Sequence, residues 1–556
     1  MRLSLCCILI GLLPLACQTA DPIRTAHEAI TPELLAEHIQ VLASDAFLGR
    51  APASPGEEKT VTYLVEQFQT LGLRPGNGDR YTQEVPLSEI TADPSSAQME
   101  VRGRRGRLQF RYGDEAMFWT KRLVSDVSVT GSDMVFVGYG IVAPEYGWND
   151  YAGVDVRGKT VVMLVNDPGY ATGDSTLFTG RAMTYYGRWT YKFEEAARQG
   201  AAAALIIHET GPAGYPWAVV EGSWSGPQFT LVNAQQNRDR CAIEGWLTYE
   251  AAQRLFELAG QDLTQLKAAA ARPGFQAVPL NLRFSASLRN TIREVRSQNV
   301  LALLPGRERP DEVVIYTAHW DHLGVDPSLP GDSIYNGALD NATGTAGLLA
   351  LARAFTALPE PPARSVLFLA VTAEEQGLLG SAYYATHPVF PPEKTVAVLN
   401  MDGLNVLGPM RDVTVIGYGL SELDDYAAAA AEAQGRYLRP DPEPEKGYYY
   451  RSDHFSFARV GIPALYLDAG IDHVTHGSEW TLARRAEYVE RHYHKPSDEY
   501  DPAWDLRGAV EDLRLFFDIG YRLANGTDFP NWREGTPFRA LRDRQRAQAT
   551  APPTTP

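Results

Sequence analysis

From Asp311 onward, short apolar runs alternate with helical stretches: VVIYTA, SVLFLAVTA, TVAVLNM, VTVIG and PALYL are interleaved with segments such as TAGLLALARAFTAL and ELDDYAAAAAEAQ. Few architectures bury such a series. The alternation argues for an α/β domain, a mixed, mostly parallel sheet with helices on both faces. In open sheets of this kind ligands gather beyond the carboxyl ends of the strands, so the residues that follow each run matter most.

Those residues share one chemistry. VVIYTA runs into HWDH, giving His319 and Asp321; SVLFLAVTA into Glu374 and Glu375; TVAVLNM into Asp402. Asp340 precedes the helix start of NGALDNATGTAG, and RHYHKPSDEYD supplies His494. Each has an ordinary meaning when taken alone. An aspartate before a helix is commonly its N-cap, an Asp-Gly pair starts a turn, and a histidine at a strand end or in a loop is commonly a hydrogen-bonded or solvated residue. Two adjacent glutamates usually face water. As a set, five groups of metal-ligating type fall at strand ends and helix starts, which points to a metal centre. Eight of the eleven histidines lie between His319 and His494.

The rest of the sequence narrows the class. The net charge of −17 repels nucleic acid and anionic lipid on average. MRLSLCCILIGLLPLACQTA begins with one basic residue and an apolar stretch too short to span a bilayer, so residues 1–20 read as a secretory signal. PLAC resembles a bacterial lipoprotein cleavage box ending at Cys17, with Pro14 where such boxes usually carry an aliphatic residue. The expectation is an exported protein of the periplasm or cell envelope, meeting membrane only through that lipid. Removal of the signal leaves Cys17 and Cys241. With Cys17 acylated no thiolate metal site forms, and any metal relies on His and carboxylate. No H-E-x-x-H helix occurs, GSWSG has Trp224 where a nucleophile elbow needs serine, and no phosphate-binding loop is present.

Along the chain, Thr31 and Pro32 open a helical block that ends near Gly72. From about Val124 to Leu280 short β-like runs such as MVFVGYGIV and GKTVVMLVND read as a separate module. The reading therefore divides the chain into an N-terminal part of the main domain (25–123), an insert (124–280), the main part (281–535) and a polar, Pro-rich, disordered tail (536–556).

TAHWDHLG, NGALDNATGTAG, VTAEEQGLLGS, NMDG and YHKPSDEYD, in that order, resemble the co-catalytic zinc exopeptidases of metallopeptidase family 28. That group includes bacterial di-zinc aminopeptidases and glutamate carboxypeptidase. LASDAFLGR and VEQFQTLGLRPG resemble the start of the same domain, and VFVGYGIVAPEYGWNDYAGVDVRGK resembles a protease-associated domain.

The resemblance implies the zinc exopeptidase fold with a β-rich protease-associated insert, two Zn²⁺ per chain and peptide substrates. One ion would be held by Asp340, Glu375 and His494, the other by Asp340, Asp402 and His319, with Asp340 bridging. Glu374 would be the base for a metal-activated water. Asp321 would orient the His319 ring, and Tyr493 would donate to the oxyanion. YYYRSDHFSFARVGIPALYL resembles the substrate-side segment and makes Arg451 a substrate contact; His322 and His454 read as structural. The implied activity is removal of residues from peptide N-termini. A carboxypeptidase or dipeptidase of the same family, a single-zinc glutaminyl cyclase, and a non-catalytic binding protein on the same fold are the alternatives. The sequence leaves oligomeric state open.

Overall fold

The computed structural model describes residues 22–550. The signal segment with Cys17 and the last six residues lie outside that range.

The main sheet is built around four adjacent parallel strands. They run in the order Arg364–Val371, Arg309–His319, Thr395–Asn400, Ala464–Ala469. Asp412–Ile416 adds antiparallel to the last of these, and Tyr437–Pro440 pairs parallel with it. On the other side the far half of Val278–Leu304 and then Thr82–Ala92 pair antiparallel. Every residue of Arg364–Val371 and Thr395–Asn400 is buried, as strands covered on both faces must be. This is the mixed sheet with a parallel centre that the alternation of runs implies.

Helices cover both faces. Thr343–Thr356 is buried on nearly its whole circumference, which explains why TGTAGLLALARAFT is apolar all round. It packs with Pro32–Leu42 and Arg507–Asn525 over one face, where Phe68, Phe355, Phe368 and Phe517 fill the core. Leu379–Thr386 and His454–Arg459 cover the other face through Tyr384 and Phe457. The helix Pro32–Leu42 starts where the sequence places it: Thr31 Oγ1 accepts from the Leu34 amide at 3.2 Å and Pro32 takes the first turn.

The insert has its own sheet and its own core. Asp126–Phe136, Thr160–Leu164, Ala203–Ile207 and Ile243–Leu247 pair in parallel. The two sheets are joined by one strand. Val278–Leu304 pairs with the insert over residues 278–289 and with the main sheet over 290–304.

Two boundaries differ from the sequence reading. The insert begins before Val124, because the hairpin Gln98–Gly103 and Gly106–Gln109 pairs with Arg283–Ser287 and Ala116–Trp119 pairs with Glu244–Leu247. Partners so far down the chain leave no local signature. The tail is also ordered through a helix, Arg539–Thr550. Its charge suggests disorder, yet Arg542 is buried, donates to the carbonyls of Pro392 and Thr395 at 2.8 Å each, and lies over Phe529.

Candidate metal centre

Every group singled out at a strand end arrives at one place. His319 ends its strand, Glu374 and Glu375 follow Val371, Asp402 follows Asn400, and Asp340 sits just ahead of the central helix. His494 comes from the loop after Gly477–Arg491. Two of these turns use the left-handed backbone region without glycine, at Ala373 (φ 52°) and at His494 itself (φ 57°). Such conformations persist where surrounding contacts over-determine them.

The contacts form two nests that share Asp340. His319 Nε2 lies 3.3 Å from Asp340 Oδ1 and 3.2 Å from Asp402 Oδ1. His494 Nε2 lies 3.2 Å from Asp340 Oδ2 and 3.1 Å from Glu375 Oε2. Bonds of roughly 2.0–2.2 Å at tetrahedral angles put neighbouring zinc donors about 3.3–3.6 Å apart, close to these separations. His494 Nε2 is moreover buried without a hydrogen bond of proper geometry, although two carboxylate oxygens stand beside it. A nitrogen lone pair and two carboxylates converging on one point fit a cation, and mixed N/O donors suit zinc.

Electrostatics give the same answer. Burial opposes charge on Asp340 and Glu375, yet the former carboxyl is held well below its usual range by the His319 and His494 rings beside it. The latter falls to about 2 with His494 and His322 beside it. Against burial, Glu375 and Asp340 raise His494 to about 10, and Glu374 and Asp402 lift His319 well above its usual value. Without metal, two imidazolium ions balance the acids; divalent cations would take over that role. Glu374 is the exception. Burial pushes its carboxyl well above the usual range, His319 opposes, and Asp402, Glu375 and Asp453 add to the rise. Its Oε2 is 4.0 Å from His319 Nε2, farther than the donors of either nest.

Asp321 departs from its expected role. Its carboxylate is 3.9 Å from His319 Nδ1, and the nearer acceptor for that ring is the Asp321 main-chain oxygen at 3.2 Å. The carboxylate instead accepts the amides of Glu374 at 3.0 Å and Glu375 at 3.4 Å. Burial pushes it up to about 8. His322 also has more than a packing role: it is fully buried with Nδ1 2.6 Å from Glu375 Oε1. His454 is buried among Tyr449 and Tyr466 with neither ring nitrogen hydrogen bonded, as a structural histidine.

Tyr493 stacks on His494 with ring centroids 3.9 Å apart, and its hydroxyl oxygen accepts from Arg451. Burial keeps its hydroxyl protonated far above neutral pH, so it remains a donor. Other supports were not singled out from the sequence. Asp498 accepts the amides of Leu339 and Asp340 at 3.1 Å each. Arg50, buried, donates to the carbonyls of Trp320, Asn336 and Gly337. Asn341 Oδ1 accepts from Gly344 and Gly403, tying the Asp340 turn to the Asp402 turn. Asp498 and Arg50 sit inside YHKPSDEYD and LASDAFLGR, so the signal was present but carried no role.

Residues 299–517 match peptidase family M28. The chain is 33% identical over 138 residues to mouse Aminopeptidase NAALADL1, covering 23% of this chain and 17% of that one. It is 26% identical over 216 residues to Aminopeptidase YwaD of Bacillus subtilis (37% and 40% covered), and 38% identical over 239 residues to a probable zinc metalloprotease of Leptosphaeria maculans (41% and 54%). The matched stretches thus span between 17% and 54% of these relatives' lengths. The aminopeptidase from Aneurinibacillus sp. strain AM-1 shares the fold, with a TM-score of 0.53 at 20% identity, covering 91% of this chain and 97% of that one.

Proposed function

We propose that the protein, whose residues 299–517 match peptidase family M28, is a zinc-dependent exopeptidase that removes residues from the N-termini of peptides and holds two Zn²⁺ per chain. The observation that carries this reading is the pair of His–carboxylate nests sharing Asp340, with Glu374 beside them. The ligands would be His319, Asp340 and Asp402 on one side, and Asp340, Glu375 and His494 on the other. When bound, the two ions supply positive charge that acidifies a water and polarises the scissile carbonyl.

The chain's own residues do the rest. Glu374 takes the proton from the attacking water and returns it to the departing amine, a role worth about 10²- to 10⁴-fold in rate. Tyr493 donates to the developing oxyanion. Asp321 fixes the backbone of Glu374 and Glu375, and Asp498 that of Asp340. The insert, which resembles a protease-associated domain, narrows the approach to the site. Export, with Cys17 acylated, belongs to the same proposal and is tested by radiolabelled palmitate incorporation into the parent and Cys17→Ser proteins.

The enzymatic test combines zinc analysis with turnover of an aminoacyl anilide and an N-acetylated counterpart. The expected result is two zinc ions per chain, activity abolished by a chelator and no cleavage of the blocked substrate. Glu374→Gln should keep both ions and lose at least 10²-fold in kcat. Parent-like turnover by that variant would remove the base assignment. Cleavage of N-acetylated peptides from their C-termini would make the enzyme a carboxypeptidase.

A further inference from the structure

The insert gathers cations at the amino ends of its parallel strands. The carboxyl ends lead to the main domain: beyond Thr160–Leu164 comes Asp167, which accepts from Thr184, and the neighbouring Met183 donates to the Pro444 carbonyl at 3.0 Å. At the other end, the residues just before Thr160, Ala203 and Ile243 and the edge of Asp126–Phe136 enclose a cleft of about 530 Å³. Five residues of strand put roughly 16 Å between the two ends. Arg122, Arg157, Lys159 and Arg283 line this cleft with a single acid, Asp133. They do so in a chain with 68 acidic residues against 51 basic ones.

Two of the four cations are neutralised and two are not. Arg157 pairs with Asp155 through Nε and Nη2 at 3.0 and 2.9 Å, and Arg283 Nη1 lies 3.3 Å from Asp133 Oδ1. Arg122, half-buried, gives Nε and Nη2 to the Arg240 carbonyl at 2.8 and 2.6 Å, which fixes the guanidinium without neutralising it. Lys159 is also half-buried, and its Nζ makes no hydrogen bond among the described residues. Neither Arg122 nor Lys159 has a carboxylate of a described residue within 4.0 Å. The cleft also holds an open strand edge. Asp126–Phe136 pairs with Val278–Leu304 on one side, but on the other it meets Thr160–Leu164 only from Met134 onward. Residues 128–132 have no strand on that edge, and all five line the cleft. Such an edge offers alternating N–H and C=O groups that an extended polypeptide matches.

We propose that this cleft docks an acidic, extended segment of a partner protein, which adds as a strand along residues 128–132 and sets its carboxylates against Arg122 and Lys159. The open edge supplies the backbone hydrogen bonds, and the two unneutralised cations select for acid. A phosphate-bearing surface would use the cations and leave the edge unpaired, so the two features together favour a polypeptide. The cleft shares no residue with the metal centre. Docking therefore leaves the peptidase site open, and the inference stands independently of the exopeptidase reading.

The test follows fluorescence anisotropy of the peptide fluorescein-Gly-Asp-Val-Glu-Val-Asp-Val-amide, whose blocked ends protect it from exopeptidase cleavage, titrated with the full chain at about 0.15 M salt. The counterpart with Asn and Gln in place of Asp and Glu should bind at least tenfold more weakly, the scale of losing charge-assisted hydrogen bonds. Lys159→Glu should weaken the acidic peptide at least tenfold with the melting temperature unchanged. Arg80→Glu, the same charge change on an exposed arginine outside the insert, should alter it less than twofold. N-methylation of alternate peptide bonds, which blocks strand pairing, should cost tenfold or more. Equal affinity for the acidic and amide peptides, or undiminished binding by Lys159→Glu, overturns the proposal. So does an N-methylated peptide bound as tightly as its parent. Binding of inorganic phosphate or of phosphatidylglycerol vesicles without binding of the peptide also overturns it, and assigns the cations to phosphate.

Discussion

Replacing Asp321 by asparagine tests how the two adjacent glutamates are held. The carboxylate accepts the Glu374 amide through Oδ1 and the Glu375 amide through Oδ2, and the side chain is fully buried. Asparagine keeps one acceptor and turns an NH₂ group toward the other amide. A stranded buried donor costs about 1–3 kcal/mol, and exchanging a charge-assisted hydrogen bond for a neutral one removes about 1 kcal/mol more. The cost should be divided unequally between states. With Asp321 pushed up to about 8 in the metal-free site, its carboxyl is largely uncharged at pH 7 and already resembles the amide. Two cations favour the carboxylate, so the larger share of the penalty should appear in zinc binding. The expectation is a metal-free destabilisation of about 1–2 kcal/mol by urea titration and zinc affinity reduced at least tenfold in competition with a chelator. Turnover should fall about 10²-fold, as a displacement of Glu374 near 1 Å would produce. Loss of only the zinc held by His319 would restore Asp321 to the ring-orienting role that its spacing from His319 suggests. Parent-like zinc affinity and turnover would refute both.

Other expectations follow from the same contacts. His322→Ala should weaken zinc on the Glu375 side by about 10- to 100-fold, while His322→Asn, whose amide can reach the position of Nδ1, should recover more of it than His322→Gln; equal behaviour of all three in zinc competition would dissociate His322 from Glu375. In the metal-free protein His494 is raised from 6.5 to about 10, so zinc entering there displaces a proton and its apparent affinity should rise about tenfold per pH unit between pH 6.5 and 9. Because the folded-state value is the raised one, the stability this histidine lends to the metal-free fold is complete below pH 6.5 and lost as pH climbs through about 10. Urea midpoints of chelated protein across that window check it, and a flat profile would argue against the imidazolium balance. Gly520→Ala should destabilise by about 1–3 kcal/mol, since a Cβ there would stand 1.7 Å from Tyr316 Oη, which donates to the Phe516 carbonyl at 2.8 Å; an unchanged melting temperature would contradict that packing.

The centre was legible because its parts obey a positional rule. Side chains that follow His319, Val371 and Asn400 must emerge on the same edge of a parallel sheet, so their shared chemistry is visible in one dimension. What the rule does not reach is how each is held. Asp321 was assigned to the histidine two residues away, whereas its carboxylate serves the strand fifty residues on, because adjacent parallel strands bring Ala318 opposite Ala370. His322 passed for a structural residue for the same reason, since its partner Glu375 belongs to that neighbouring strand end. The landing of the insert left no local signal either: it rests on Tyr185 docking against Tyr450 and Phe455, a contact between domains. Function that depends on the main sheet is therefore readable from strand order, while function that depends on where the insert lands requires the packed structure.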